Sequence, residues 1–244
     1  MTDAVNRIAL VTGGNKGIGL EIARRLGEAG WRVWLGARDL DAGETAAASL
    51  RQGGADVRAV HIDLIDPATI SAAAAAIEAE DGRLDVLVNN AGINDPRDGT
   101  PGKVEMDAVR RIFDTNFFGT LAVTQAMLPL LRQSPSARII NQSSDLGSLT
   151  RQGDPDWKFA FIKSLGYSAS KAALNMLTVQ LAAELKEAGI AVNSTNPGAT
   201  ATDLNGHRGH QTVEEGATPA VQLALAEEAA FSGAFVGLGK IDPW

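Results

Sequence analysis

Short apolar runs alternate with longer stretches of helical periodicity along the whole chain. Ile8–Val11 has the continuous apolar character of a strand covered on both faces. The stretch Gly17–Ala29 that follows carries Ile18, Ile22 and Leu26 about one helical turn apart. The same alternation predicts strands at Trp31–Leu35, Val57–Ile62, Leu84–Val88, Arg138–Asn141, Ile190–Ser194 and, briefly, Ala234–Val236. Helices are predicted over about Asp41–Arg51, Pro67–Glu80 and Ser168–Ala188, with two more across about Asp107–Arg132 separated by a break near Asn116. The alanine run Ala72–Ala76 favours helix because alanine loses least on entering one. Apolar strands separated by helices imply a parallel sheet covered on both faces through right-handed crossovers. The expectation is an α/β fold, a single doubly wound Rossmann-type domain over residues 1–244 with a seven-stranded parallel sheet flanked by helices.

The first strand runs into Thr12-Gly13-Gly14-Asn15-Lys16-Gly17-Ile18-Gly19. Glycines here permit a tight turn and let a pyrophosphate approach backbone amides at the start of a helix. The spacing Gly13-x-x-x-Gly17-x-Gly19 differs from the common G-x-G-x-x-G, and no Lys-Ser/Thr pair follows as a Walker loop requires. A tight strand–helix turn without a ligand fits the same residues. The end of the second strand, Gly36-Ala37-Arg38-Asp39, adds a distinction. A carboxylate at this point accepts a hydrogen bond from the adenosine 2′-hydroxyl of NAD. Ala37 takes that position, Arg38 follows it, and Lys16 sits in the glycine loop, so the pair suits a 2′-phosphate and hence NADP(H). Solvated surface charges are the alternative, and Asp39 dilutes the positive site.

Tyr167-Ser168-Ala169-Ser170-Lys171 places a phenol and an ammonium on one helical face, and Tyr167 is the only tyrosine. A nearby cation favours the phenolate, and such a pair can pass a proton to or from an alcohol oxygen. A single Tyr-x-x-x-Lys also arises by chance as two surface residues.

Hydrophobic residues make up 45% of the 244 and charged residues 21%, enough apolar material for a sizeable core. The net charge of −7 disfavours a nucleic-acid partner. With no cysteine, disulfides, thiolate metal sites and cysteine nucleophiles are excluded. Met1–Gly13 lacks the apolar core of a signal peptide and no run of 18 apolar residues occurs, so a cytoplasmic protein without a membrane partner is expected. His61, His207 and His210 form no recognisable ligand set, so no metal is expected. A Gly-x-Ser-x-Gly hydrolase elbow is also missing.

Thr12-Gly13-x-x-x-Gly17-x-Gly19, Asn89-Asn90-Ala91-Gly92, Asn116, Ser143-Ser144-x-x-Gly147, Tyr167-x-x-x-Lys171 and Pro197-Gly198 occur in this order. Together they resemble the short-chain dehydrogenase/reductase family over nearly the whole chain. Thr212–Ala217 and the end of the chain are similar to its NADPH-dependent carbonyl reductase branch. The resemblance implies a catalytic set of Asn116, Ser144, Tyr167 and Lys171. In it Tyr167 donates the proton, Lys171 binds ribose hydroxyls and lowers the Tyr167 pKa, and Ser144, with Ser143 as its neighbour, binds the carbonyl oxygen. Asn116 holds a water linking Lys171 to solvent. Cofactor contacts are implied for Gly13, Asn15, Lys16, Gly17, Ile18, Gly19, Arg38, Leu64, Ala91, Gly92, Pro197, Gly198 and Thr200. Further implied contacts are Asn90 along the ribose, Asp63 at the adenine amine and Thr202 at the carboxamide. Ser144, Asp145, Trp157, Tyr167 and Leu204 are expected to line the substrate pocket.

Ser144 and Tyr167 lie 23 residues apart, wider than the usual family spacing, because of an insertion around Thr150–Lys163. Its Trp157, Phe159 and Phe161 are expected to cover the substrate entrance. Gln142 and Asp145 stand where small apolar residues are commoner; Asp145 suits a loop cap, a solvated charge or a contact to a cationic substrate. The short Asp203–Val213 segment suggests an open, permissive pocket. The expected activity is NADPH-dependent reduction of a ketone or aldehyde. Alternatives are reduction of an imine or activated C=C bond, a noncatalytic NADP(H)-binding regulator, and a nucleotide- or S-adenosylmethionine-dependent transferase. A homodimer, a homotetramer and a monomer all stay open; the insertion bears on helix packing between subunits.

Overall fold

The computed structural model describes residues 7–227 and 231–244. Residues 1–6, the start of the stretch read above for a signal peptide, lie outside the described residues. The chain alternates β1 (Ile8–Thr12), α1 (Gly17–Glu28), β2 (Arg32–Ala37), α2 (Leu40–Gln52), β3 (Val57–His61), α3 (Pro67–Asp81) and β4 (Val86–Asn89). It continues through α4 (Met106–Phe113), α5 (Thr120–Leu131), β5 (Arg138–Gln142), α6 (Leu149–Gln152), α7 (Leu165–Glu184) and β6 (Ala191–Thr195). The last elements are α8 (Val213–Leu225), β7 (Phe235–Gly237) and β8 (Lys240–Ile241).

The strands form one sheet in the order β3-β2-β1-β4-β5-β6-β7-β8. Seven run parallel, as expected, but the sheet has eight strands rather than seven. β8 pairs antiparallel with β7 through Val236↔Ile241 and Gly237↔Lys240, after a turn in which Gly239 takes φ +68°. Both β8 residues are exposed, so the strand has no apolar run to reveal it and acts as a short cover on the sheet edge. The order reverses between β1 and β4, which opens a crevice at their carboxyl ends.

Alternate strand residues feed two cores. Leu10, Trp34, Leu87, Ile139 and Val192 pack with Ile77 of α3, Met127 of α5 and Leu174 of α7. Ala9, Val11, Val33, Leu35 and Val88 meet Ile22 and Leu26 of α1, Ala47 of α2 and Val221 of α8 on the opposite face. Each large buried side chain contributes about 1.5–3 kcal/mol. The expected break near Asn116 is a widened π-type turn, Asp114–Gly119, that joins α4 to α5 without interrupting the helix. Such widenings cluster at functional sites. The element list read from periodicity omits α8. Its signal is a capping box, in which Glu215 N donates to Thr212 Oγ1 (3.2 Å) and Thr212 N donates to Glu215 Oε2 (2.9 Å).

Candidate active site

Thr12 and Asn90 tie the glycine turn to the β4 end. Thr12 Oγ1 accepts from Asn90 N (3.0 Å) and Ala91 N (3.1 Å), and Asn90 Nδ2 donates to Thr12 O (2.9 Å) and Gly13 O (3.2 Å). Gly13 has φ +61°, and a Cβ there would stand 3.0 Å from the Ala91 backbone. The turn therefore requires glycine. Below it opens a cleft of about 840 Å³. Gly13, Asn15, Lys16, Gly17, Ile18 and Gly19 line one part of it, Arg38, Asp63 and Leu64 another, and Asn90, Ala91 and Gly92 the middle. Across from them stand Tyr167, Lys171, Pro197, Thr202 and Leu204. Gly198 and Thr200 are not among the lining residues; the Thr200 hydroxyl instead donates to Pro197 O (2.9 Å) and holds that bend.

The two basic residues expected at a 2′-phosphate differ in commitment. Arg38 is exposed and makes no hydrogen bond or ion pair with a described residue, while Asp39 caps α2 by accepting from Ala42 N (3.1 Å). Lys16 reaches Asp203 Oδ2 at 2.7 Å, and the same carboxylate meets His207 Nε2 at 2.9 Å.

Tyr167 and Lys171 share the inner face of α7. Lys171 is buried, its Nζ donates to Gln142 O (2.7 Å), and burial pushes its pKa down to about 8. Nζ lies 5.7 Å from the centre of the Tyr167 ring. The Tyr167 hydroxyl hydrogen-bonds Ser144, which pulls its pKa down, but burial outweighs this and pushes it up to about 12, with nearby Asp145 adding to the rise. The expected lowering by Lys171 is thus corrected: desolvation of the phenolate decides the sign. Asn116 is fully buried in the π-type turn, with Oδ1 accepting from Ile93 N (2.8 Å) and Nδ2 donating to Ile93 O (3.0 Å) and Ser170 Oγ (3.1 Å).

Asp98, in the loop after β4, carries no motif, yet its carboxylate accepts from Gly166 N (2.8 Å) and Tyr167 N (2.9 Å). It supplies the cap that Ser164 does not, and a negative charge at the positive end of α7. A Cβ on Gly166 would sit 3.0 Å from Ile112 and 3.2 Å from Asp98, so glycine admits the approach.

Ser144 opens a short turn, its Oγ accepting from Leu146 N (3.2 Å). Ser143 and Tyr167 line the main cleft; Ser144, Asp145 and Trp157 are not among its lining residues, although Ser144 hydrogen-bonds Tyr167 and its Oγ lies 3.5 Å from Asp145 Oδ1. The insertion packs on the chain end: Thr150 N donates to Trp244 O (3.0 Å), and Arg151 pairs with buried Asp242. Trp157 meets Phe159 edge-on (5.6 Å), and Phe159 meets His210 (6.3 Å). Phe161 is 77% exposed. No cluster of metal-ligating side chains occurs among the described residues, and none of their helices is long and apolar enough to cross a membrane.

A family model described as short chain dehydrogenase matches residues 7–212. Short-chain dehydrogenase/reductase 1 of Saponaria officinalis is 34% identical, over 99% of this chain and 97% of that one. Carbonyl reductase (NADPH) 1 of Mus musculus is 33% identical, over 97% and 98%. Among solved structures, an NADPH-bound carbonyl reductase from chicken fatty liver superimposes with a TM-score of 0.85 at 30% identity, over 98% of this chain and 99% of that one.

Proposed function

We propose, from the premise that the chain belongs to the short-chain dehydrogenase/reductase family, that it reduces ketones or aldehydes with NADPH. It is an enzyme of that oxidoreductase family, whose members bind a nicotinamide cofactor. One observation carries the finer reading. A buried Lys171 and a Tyr167 hydroxyl bonded to Ser144 stand in the same cleft as an Arg38 that no described residue neutralises.

The residues fit the cofactor. Of the three Lys171 N–H donors, Gln142 O takes one, which leaves two for ribose hydroxyls. Arg38 faces the position of the 2′-phosphate, with Ala37 in place of the carboxylate that would repel it. Asp63 serves the adenine end and Thr202 the nicotinamide end. Bound NADPH supplies the hydride to the carbonyl carbon. Tyr167 gives its proton to the oxygen, and Ser144 hydrogen-bonds that oxygen as charge develops. Asn116 Oδ1 keeps one lone pair beyond its Ile93 bond for the water that links Lys171 to solvent.

With the phenol pushed up to about 12, Tyr167 is protonated across the neutral range. Reduction should therefore be flat near neutrality and fall only on the alkaline side, while alcohol oxidation, which needs the phenolate, climbs with pH. The test is NADPH and NADH oxidation over a panel of carbonyls, quinones and imines. We expect turnover of ketones or aldehydes with NADPH, and a loss of about 10²–10⁴-fold in kcat for Tyr167→Phe. Near wild-type reductase activity in Tyr167→Phe would overturn the mechanism.

A further inference from the structure

Two carboxylates stand beside Arg151, and they are held with very different tightness. The Asp242 side chain is fully buried. It receives Arg151 Nη2 at close range, Asn196 Nδ2 at 2.6 Å and Lys240 Nζ at 3.3 Å. Asp145 is 8% exposed, so it is not the solvated charge that its place in a turn suggests. It caps no backbone amide either: the one hydrogen bond its carboxylate receives from a described residue comes from Ser144 Oγ, at 3.5 Å. Arg151 Nη1 stays 3.9 Å away, because the guanidinium is drawn to Asp242 and lies against the Trp157 ring. Lys158, the other cation facing Asp145, is exposed on the insertion and sits over Phe159. Among the described residues, Tyr167 of α7 and Asp242 complete the titratable groups around it.

A buried carboxylate is costly to hold charged, and a cation 3.9 Å away compensates it less than one at hydrogen-bond distance. Asp145 directly follows Ser144, and its Oδ1 lies 3.5 Å from the Ser144 hydroxyl that meets the Tyr167 hydroxyl, so the carboxylate adjoins the pair assigned to the carbonyl oxygen. Trp157 and Phe159 add aromatic surface on the same side, and the chain's net charge of −7 favours the approach of a cation. Taking the reductase reading as given, we propose that Asp145 is a specificity determinant for carbonyl substrates that carry a protonated amine near the carbonyl group.

The experiment uses a ketone with a protonated amine and its isosteric neutral analogue with carbon in place of nitrogen. In the wild type the charged ketone should have the higher kcat/KM, by about 10- to 150-fold, the span of one charge-assisted hydrogen bond. Asp145→Asn should collapse that ratio toward one, and Asp145→Glu should restore part of it. A ratio near one in the wild type would overturn the proposal. A wild-type ratio that Asp145→Asn leaves unchanged, with both ketones slowed by the same factor, would also overturn it, because Asp145 would then act on Tyr167 and not on the substrate. If the wild type turns over neither ketone, the reductase reading fails separately. The subsite is then judged by calorimetry, where weaker binding of the amine-bearing ketone to Asp145→Asn supports it and equal binding to the two proteins refutes it. Unchanged near-ultraviolet circular dichroism checks that the variants are folded.

Discussion

Arg38, in the lining of the cleft, and Arg151, on the insertion, are held in opposite ways. Arg38 is exposed, with no partner among the described residues. Arg151 is mostly buried, pressed between Asp242, the Trp157 ring and, more loosely, Asp145. An exposed guanidinium loses little by waiting for a ligand, since water solvates it. A buried one must be paired at all times, so it serves as a strut. Arg38 is thus left open to a ligand, while Arg151 joins the insertion to the chain end through Asp242 and gives Asp145 only a looser contact.

The strongest way to break this contrast is at the strut. Asp242→Ala removes the carboxylate that takes up Arg151, Asn196 and Lys240. Loss of one member of a buried pair costs about 3–5 kcal/mol. We expect the lower end, because Arg151 can close its 3.9 Å gap to Asp145. Urea unfolding measures it, with cofactor affinity unchanged. A loss under about 1 kcal/mol, the scale of an exposed pair, would mean that the insertion is held by its aromatic contacts instead.

Next in size is Arg38→Ala. It should weaken NADPH binding by about 1.5–3 kcal/mol, the worth of a hydrogen bond to a charged group, and leave NADH binding nearly as it was. Titration of both cofactors decides. Equal losses would show that Arg38 acts on something common to the two and not on the 2′-phosphate.

The two regions also differ in how far the sequence exposes them. β1, the glycine turn and α1 are contiguous, so an apolar run, a glycine spacing and one helical period carry them. The widening at Asn116 falls where the predicted break does, inside one long helical stretch. Asp98 is different. It lies 69 residues from Tyr167, and only the fold brings its carboxylate to that amide. Asp242, Arg151 and Asn196 meet from three separate segments in the same way. β8 is two exposed residues that pair because the turn at Gly239 returns them to β7, and periodicity cannot register so short an element. α8 is missing from the periodicity reading, although Thr212 and Glu215 have the spacing of a helix-start signal. The Tyr167 shift reads as downward from an ammonium four residues away, because the burial that raises it leaves no mark in the local sequence.

Lys16 sharpens the contrast by its smallness. Sequence position groups it with Arg38 at the 2′-phosphate, yet in the structure its ammonium lies 2.7 Å from Asp203, both side chains more than half exposed. To reach a phosphate it must first give up that pair. The exchange sets one charge-assisted contact against another, in water and under salt screening, and exposed pairs of this kind are worth about 0.2–1 kcal/mol. Lys16→Ala should therefore weaken NADPH binding by less than about 1 kcal/mol, well below Arg38→Ala. Asp203→Asn in the same protein should act in the opposite direction, because it frees Lys16 and removes an anion that the phosphates would meet. Titration at low and high salt separates the cases, since the contribution of an exposed charge shrinks as salt rises. A Lys16→Ala loss as large as that of Arg38→Ala would show that Asp203 does not restrain the ammonium, and that the glycine loop presents its charge to the ligand as freely as β2 does.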